Sequence, residues 1–514
     1  MTRQRKLLLF SVMAFGQFMA LIDIQIVAAS LNDIQAGLSA GPDEISWVQT
    51  AYLMAEIVMI PFAGFLAKAL STRWLFVLSS GLFTLASALC GLAWDIDSMI
   101  AFRAFQGFVG GAMVPTVWAT GFVLFTGKDR ALASAILGVV TMLAPTLGPT
   151  VGGWITDAID WRWIFFINIV PGIGVCVLSA ILIRVDDAEP ALLGRFDWSH
   201  LCSMAVFLSG LEYILEEGPR RGWLGDPLIG VTAWVSLIAF VLFIERSFRS
   251  GAPIISLTPL SRPSFVFASL LSVVASAGIF AATYLVPVFL GRVRGFTSFD
   301  IGTTVFVTGL GMIVSAPLTV RLLQVLDPRW VIALGLCIFS TSLWMFSDVG
   351  PQWGFQELFW PHILRGLAGM LCVVPAANIA LANLEGDELR HASGLFNLMR
   401  NLGGAVGIAV VNTWLQEDSR LHAGRFGEAL GAQSRPAQEA VAMLAQRMQQ
   451  FTVDSEHALQ LAMAEFSRMV QLQSLTLAFD DYFRLMAWIF IFTLVLVPLC
   501  GGFKPGGTPN AVAE

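Results

Sequence analysis

Residues Arg103 to Ala112 read RAFQGFVGGA, and they sit inside an apolar run that extends from about 99 to 125. A run of that length crosses a hydrocarbon core of ~30 Å as a helix. On that helix Arg103, Gln106 and Gly110 fall at i, i+3 and i+7, so they share one face with Gly107 beside them. A guanidinium in a membrane span needs a carboxylate, carbonyls or water nearby, and the glycines let a neighbouring helix come close. The plainer alternative is that Arg103 only reaches for the outer interface. An altered copy, HILRGLAG, runs from His362 to Gly369, so that Gly366 and Gly369 follow Gly107 and Gly110 by 259 residues. The same offset aligns ASAILGVVTMLAPTLG (Ala133 to Gly148) with ASGLFNLMRNLGGAVG (Ala392 to Gly407). Two helix pairs in one register indicate a duplicated six-helix unit. Parallel repeats of that kind bind substrate at their interface, near the membrane midplane.

The rest of the chain reads the same way. It has 514 residues, 56% hydrophobic and 13% charged, where a soluble protein carries about a quarter charged residues. Spans are expected at about 8–30, 47–69, 74–94, 99–125, 131–158, 163–184, 197–217, 227–245, 264–290, 299–322, 330–348, 357–383, 391–415 and 483–503. The predicted fold is an all-α polytopic membrane protein of about fourteen spans. Its expected units are a six-helix bundle at 1–185, an inserted helix pair at 186–255 and a second six-helix bundle at 256–514. The basic start MTRQRK leads into an apolar run without an A-x-A cleavage site, so it is taken as the first span rather than a leader.

Basic residues choose the sides. Arg3, Arg5, Lys6, Lys68, Arg73, Lys128, Arg130, Arg184, Arg195, Arg246, Arg249, Arg262, Arg321, Arg329, Arg390 and Lys504 flank one set of loops and the termini. The opposite short loops hold Arg162, Arg220, Arg221, Arg292 and Arg294, and acids such as Asp43, Glu44, Asp95 and Asp97. The positive-inside rule then predicts cytoplasmic termini. One exported loop, 416–480, is long and polar. Val441, Leu444, Met448 and Phe451, then Leu459, Met463, Phe466 and Val470, recur at helical spacing, and Ser434-Arg435-Pro436 marks a helix start. A pair of amphipathic helices outside the membrane is expected there.

Carboxylates inside spans are costly and need a reason. Asp23 stands in MALIDIQIVAAS (Met19 to Ser30), Glu56 in the second span and Glu212 in the inserted pair. Asp23 is read as a proton- or substrate-coupling group, with a fixed ion pair to Arg103 as the alternative. Glu56 is a further proton-coupling candidate, and Glu212 is placed with the cavity candidates. Arg365 and Arg400 are the buried cations of the second half, suited to an anionic ligand or to backbone carbonyls. LAPTLGPTVGGWI (Leu143 to Ile155) brings Pro145, Gly148, Pro149, Gly152 and Gly153 into one span, the composition of a hinge or a close-packed seam.

Arg103-x-x-Gln106-Gly107 resembles the fourth-helix motif of the major facilitator superfamily. Gly148-Pro149-x-x-Gly152-Gly153 resembles the fifth-helix motif of its antiporters. With DWRWIFFINIVPGI (Asp160 to Ile173), LFNLMRNLGGAVG and the long exported loop, the whole chain is similar to the fourteen-span drug:proton antiporters of the EmrB type. That resemblance implies proton-driven export of hydrophobic compounds by an inner-membrane pump. It also implies a periplasmic adaptor protein and an outer-membrane channel as partners, with 416–480 as the docking element. Gln25, Gln106, Glu212, Arg365, Asn397 and Arg400 are the residues expected at the substrate cavity.

Two departures stand out. The first-helix motif L-D-x-T-x-x-N-V-A-L-P keeps its Asp as Asp23 and loses Thr, Asn and Pro, leaving Gln25 as the polar neighbour. In GFLAKALSTRWLF, Gly64 and Arg73 are retained, while Lys68 stands where the wider superfamily has the Asp that locks a cytoplasmic gate. The rival readings are a dedicated exporter of one metabolite, such as a siderophore or aromatic acid, and a non-transporting scaffold. An enzyme is not expected, because the five histidines are scattered without HExxH and there is no P-loop. No cofactor or metal is indicated, and the six cysteines lie in apolar segments with no CxxC pair.

Overall fold

The computed structural model describes residues 2–41, 44–125, 127–195, 197–249, 255–350, 352–381, 384, 386–429, 434–450 and 454–500. Asp43, Phe451 and Lys504 lie outside the described residues, as do the side chains of Lys128, Arg195 and Arg390. The chain is helical almost throughout: α1 (Arg3–Ala29), α2 (Leu31–Leu38), α3 (Ser46–Gly91), α4 (Ile96–Gly110), α5 (Met113–Leu124), α6 (Gly127–Ala158), α7 (Trp163–Phe166), α8 (Ile169–Leu182), α9 (Trp198–Arg221), α10 (Pro227–Arg249), α11 (Pro263–Arg292), α12 (Ser298–Val325), α13 (Pro328–Phe346), α14 (Phe355–Leu381), α15 (Gly386–Ala429), α16 (Arg435–Met448) and α17 (Ser455–Thr493).

Among the described residues eleven helical stretches are long and apolar enough to cross a membrane. In α6 the segments Leu132–Pro145 and Leu147–Ala158 meet at 41° and form a twelfth. Pro145 and Pro149 explain the bend, since each removes a helix donor and crowds the preceding turn. Helix α3 holds two spans, and α9 is too polar to pass on hydropathy alone because Glu212, Glu216 and Glu217 lie in it. Counting these brings the total to about fourteen.

The two bundles meet along α6, which lies against α12 and α14, and along α3, which lies against α15. Ser134 Oγ and Asn378 Oδ1, 3.1 Å apart, join α6 to α14. The inserted pair is divided in its surroundings. Helix α10 packs on α9 and turns Val231, Trp234 and Val241 outward, as a lipid-facing helix would. Helix α9 instead lies against both α3 and α15, wedged between the bundles.

The two spans of α3 part at Ser71, whose φ of 74° and ψ of 152° belong to a region almost reserved for glycine. The turn is held from outside. Asp186, in the segment leading to α9, accepts from Thr72 N at 2.9 Å and from Thr72 Oγ1 at 2.8 Å, so it caps the second span in trans. Glu189 N donates to the Lys68 carbonyl at 3.0 Å, and the Glu189 carboxylate lies 4.0 Å from Lys68 Nζ.

Beyond the spans, α15 runs on to Ala429 and α17 begins at Ser455. At 44 residues α15 is about 66 Å long, so its second half projects past the bundle. In the 416–480 region the two expected helices are α16 and the first half of α17, packed on one another, and both α17 and the end of α15 are continuous with spans. Ser434 caps α16 by accepting from Ala437 N, as its sequence indicates. At the base of the projection His422 Nε2 lies 3.0 Å from Asp481 and 3.3 Å from Asp418, tying α15 to α17. We call this end of the bundle the hairpin side and the end bearing Arg3 the terminus side.

The Ser71 turn gives a paired prediction. Ser71→Gly removes the backbone strain and should stabilise the protein by about 1 kcal/mol. Asp186→Ala removes the cap and should cost about 1 kcal/mol. Thermal unfolding of both variants in detergent checks it, and shifts of the same sign would contradict it.

Candidate functional site

Asp23 projects from α1 into a site that is dry on every side. Its exposure is 1%, and that of Arg103 is 0%. Asp23 Oδ2 accepts from Arg103 Nη1 at 2.7 Å, while Oδ1 accepts from Gln106 Nε2 at 3.1 Å and Asn168 Nδ2 at 2.7 Å. Arg103 Nη1 also donates to Gln106 Oε1 at 2.8 Å, and Arg103 Nε donates to the Val48 carbonyl at 3.2 Å. The guanidinium stacks over the Tyr52 ring with its carbon 4.1 Å from the centroid, and its Nη2 has no hydrogen-bond partner. Asn168 donates in addition to Ser87 Oγ at 3.1 Å, and Ser87 in turn donates to the Phe165 carbonyl at 2.9 Å.

One carboxylate thus gathers α1, both spans of α3, α4 and the α7–α8 junction. The local sequence permits this. A Cβ on Gly107 would lie 2.2 Å from the Tyr52 carbonyl oxygen, and one on Gly111 would lie 2.7 Å from that of Glu56. Only glycine allows α4 so close to α3. The fifth-helix motif does the same beside Asp23, because a Cβ on Gly148 would lie 2.3 Å from Gln25 Cβ and one on Gly152 would lie 2.9 Å from the Ile26 carbonyl. The bent helix α6, which also carries Gly153, therefore bears directly on the helix that holds Asp23.

Glu56 lies deep in the first span of α3 and is 6% exposed. It has no direct ion pair, yet Asp23, Arg103 and Arg400 are all within electrostatic reach. Arg400, on α15 and 2% exposed, has Nε and Nη1 without partners and sits 5.5 Å from the Trp118 ring centroid. Asn397, one turn earlier, donates to the Ser393 carbonyl at 2.9 Å and leaves its Oδ1 unpartnered. Between the bundles, then, a buried carboxylate faces an incompletely satisfied guanidinium.

The remaining predicted residues divide. Arg365 is satisfied by protein: it donates to the Ala282 carbonyl and to Thr308 Oγ1, each at 2.9 Å, and Thr308 Oγ1 lies 2.8 Å from His362 Nδ1. Gln106 is held inside the Asp23 network. Gln25 stands against α6, and Glu212 is buried on α9. Lys68 and Arg73 lie at the Ser71 turn, with Arg73 against the Trp74 ring, and Gly64 lines a small pocket with Thr116, Thr120 and Gly394. Asn168 and Ser87 were not anticipated as site residues. Asn168 offered a signal, an amide inside the apolar stretch around IFFINIVPGI; Ser87 offered none.

The family model described as Major Facilitator Superfamily matches residues 13–408. The chain belongs to the major facilitator superfamily. Within it the chain is of the EmrB type. It is 36% identical over 488 residues to the colistin resistance protein EmrB of Acinetobacter baumannii, covering 95% of each chain. It is 27% identical to the multidrug export protein EmrB of Escherichia coli, covering 80% of each. To the fatty acid resistance protein FarB of Neisseria gonorrhoeae it is 28% identical, over 84% of this chain and 85% of the relative. The crystal structure of the human organic anion transporter MFSD10 superposes with a TM-score of 0.59 at 12% identity, over 97% of this chain and 100% of the other, which speaks to the fold alone. The chain is a multi-pass membrane transporter.

The buried pair makes a prediction about stability. Asp23→Asn strands the Arg103 charge, and Arg103→Gln strands the Asp23 charge, each costing about 3–5 kcal/mol. The double variant leaves neither, and most of the loss should return. Melting temperatures of the four proteins in detergent form the cycle, and simple additivity would refute the coupling.

Proposed function

We propose that the protein exports hydrophobic or amphiphilic compounds in exchange for protons, by alternating access of the two bundles. The observation that carries this reading is the Asp23–Arg103 pair, sealed from solvent and set beside the second buried carboxylate, Glu56. Intramembrane carboxylates of this kind mark proton relays. A proton arriving on Asp23 cancels its charge and weakens its hold on the guanidinium. Glu56 is then the anion within reach of Arg103. The same event loosens α1 from α4 beside the seam between α1 and the bent helix α6. A charge exchange between two carboxylates thereby becomes a shift in helix packing.

The compound class rests on the relatives, which are named for multidrug export, colistin resistance and fatty acid resistance. An apolar interface holding Trp118, Asn397 and Arg400 supports the same class. We further propose that the termini are cytoplasmic and that the 416–480 projection is periplasmic. It would hand substrate to a periplasmic adaptor and an outer-membrane channel from the bacterial inner membrane. The basic residues of the terminus side and the continuity of α15 and α17 with their spans support that orientation.

Purified protein in liposomes that enclose a pH-sensitive dye tests the exchange. Under an imposed gradient, hydrophobic compounds should evoke proton flux in the wild type. The Asp23→Asn/Arg103→Gln variant, chosen to retain the fold, should lose at least tenfold of it. Undiminished flux in that variant would remove Asp23 from the proton path.

A further inference from the structure

The inserted helix α9 carries a carboxylate that neither the ion pair nor the bundle contacts account for. Glu212 is 4% exposed, takes part in no ion pair among the described residues, and has its Oε2 without a hydrogen-bond partner. Three other buried acids have partners, while Glu56, like Glu212, has no ion pair among the described residues. Asp23 has Arg103, Glu217 accepts from Arg220 at 2.6 Å, and Asp480 accepts from Val349 N at 3.0 Å. An isolated charge in an apolar interior is far too costly to keep, whereas a carboxyl group that holds a proton is tolerated.

Two contacts fix where Glu212 lies. Ser209 Oγ donates to the Met54 carbonyl at 3.4 Å, and Tyr213 stacks on Trp47 with centroids 5.5 Å apart. Helices α9 and α3 therefore run antiparallel, and Glu212 sits on the hairpin side of Glu56. The two carboxylates are within electrostatic reach of one another, and Glu216 follows Glu212 one helical turn farther on. Glu216 in turn lies within reach of Tyr284 on α11, near the hairpin side of the bundle. The charged and titratable groups facing this line are Tyr52 on α3, Arg103 on α4, Asp23 on α1 and Arg400 on α15. At the outer end stand Glu217, Arg220, Arg221 and Asp226, with Arg292 beyond them, and α10 presents Ser236. Arg400, 2% exposed with two unpartnered nitrogens, stands across from Glu56 at the inner end.

We propose that Glu212 is a second proton-carrying residue and that Glu56, Glu212 and Glu216 form a carboxylate line from the bundle interface to the hairpin side. The inserted pair then serves conduction as well as packing: α10 meets lipid while α9 carries protons between the bundle interface and that side. This inference rests on the proton-exchange reading above and adds a route to it.

Glu212→Gln, Glu212→Asp and Glu216→Gln in the full-length protein test it, with ethidium as the transported probe. Glu212→Gln should melt as the wild type does, yet lose at least tenfold of probe-dependent proton flux in dye-loaded liposomes. Glu212→Asp should restore a substantial part. Wild-type flux in Glu212→Gln would overturn the inference while leaving proton exchange intact. Infrared spectra of the purified proteins decide the matter independently of transport. A protonated-carboxyl band present in the wild type and missing from Glu212→Gln supports the assignment, and identical bands overturn it even if ethidium evokes no flux.

Discussion

The Asp23–Arg103 pair is the interaction on which the first bundle depends. Two opposite charges with almost no exposure to water are joined at 2.7 Å, and the side chains of Gln106 and Asn168 are turned toward them. Removing water from both ions costs several kcal/mol each, and their attraction repays this only with good geometry and further hydrogen bonds. Gln106, Asn168 and the Val48 carbonyl supply those bonds, and each comes from a different part of the chain. An apolar core of the same shape would be at least as stable. A charge pair maintained there suits a task that apolar packing cannot perform, which is to change with one proton.

Small residues and strain place that pair. Gly107 and Gly111 let α4 lie against the α3 backbone, and Gly148 and Gly152 let α6 lie against α1 on either side of Gln25 and Ile26. Without a hydrophobic drive between helices in lipid, such close contact is what gives a seam its strength. The strained Ser71 turn sits at the far end of the helix that holds Glu56, clamped by Asp186 from the segment leading to the inserted pair. The first bundle and α9 are thus joined twice, at the terminus side through Asp186 and Glu189 and along the interface through Ser209 and Tyr213.

Much of this was legible from residues alone, because polar groups in apolar runs are rare enough to be conspicuous. Asp23, Arg103 and Gln106 could be singled out on that ground, and helix spacing put the last two on one face. The partnership itself was open until the structure brought α1 against α4, since spacing carries no information about distant helices. Arg365 stood open between an anionic ligand and backbone carbonyls; the structure gives it a carbonyl, that of Ala282, which has no signature in sequence. The extent of α15 was hidden because hydropathy falls after about residue 415 while helical geometry continues to Ala429. The placing of Glu212 was not legible, because an inserted pair has no counterpart in the repeat, and nothing in its composition distinguishes the wedged helix from its lipid-facing neighbour except the acids themselves.

The repeat also sharpens the difference between the two halves. An offset of 259 residues carries Arg103 to His362, Gln106 to Arg365 and Asp23 to Ala282. In the second bundle Arg365 bonds to the backbone carbonyl of that same Ala282 and to Thr308, so the corresponding contact joins a cation to a dipole that cannot accept a proton. In the first bundle Gln106 holds the place of Arg365 and donates to the Asp23 carboxylate, with Arg103 paired to the same group. The two halves therefore differ at this contact, whose acceptor is a carboxylate in one and a backbone carbonyl in the other. Arg400 and Glu56 lie within electrostatic reach of each other across the interface without a direct bond. Helix α9 touches both sides of that boundary, through α3 and α15, so under the proposed exchange a charge on the first half would act on the packing of the second.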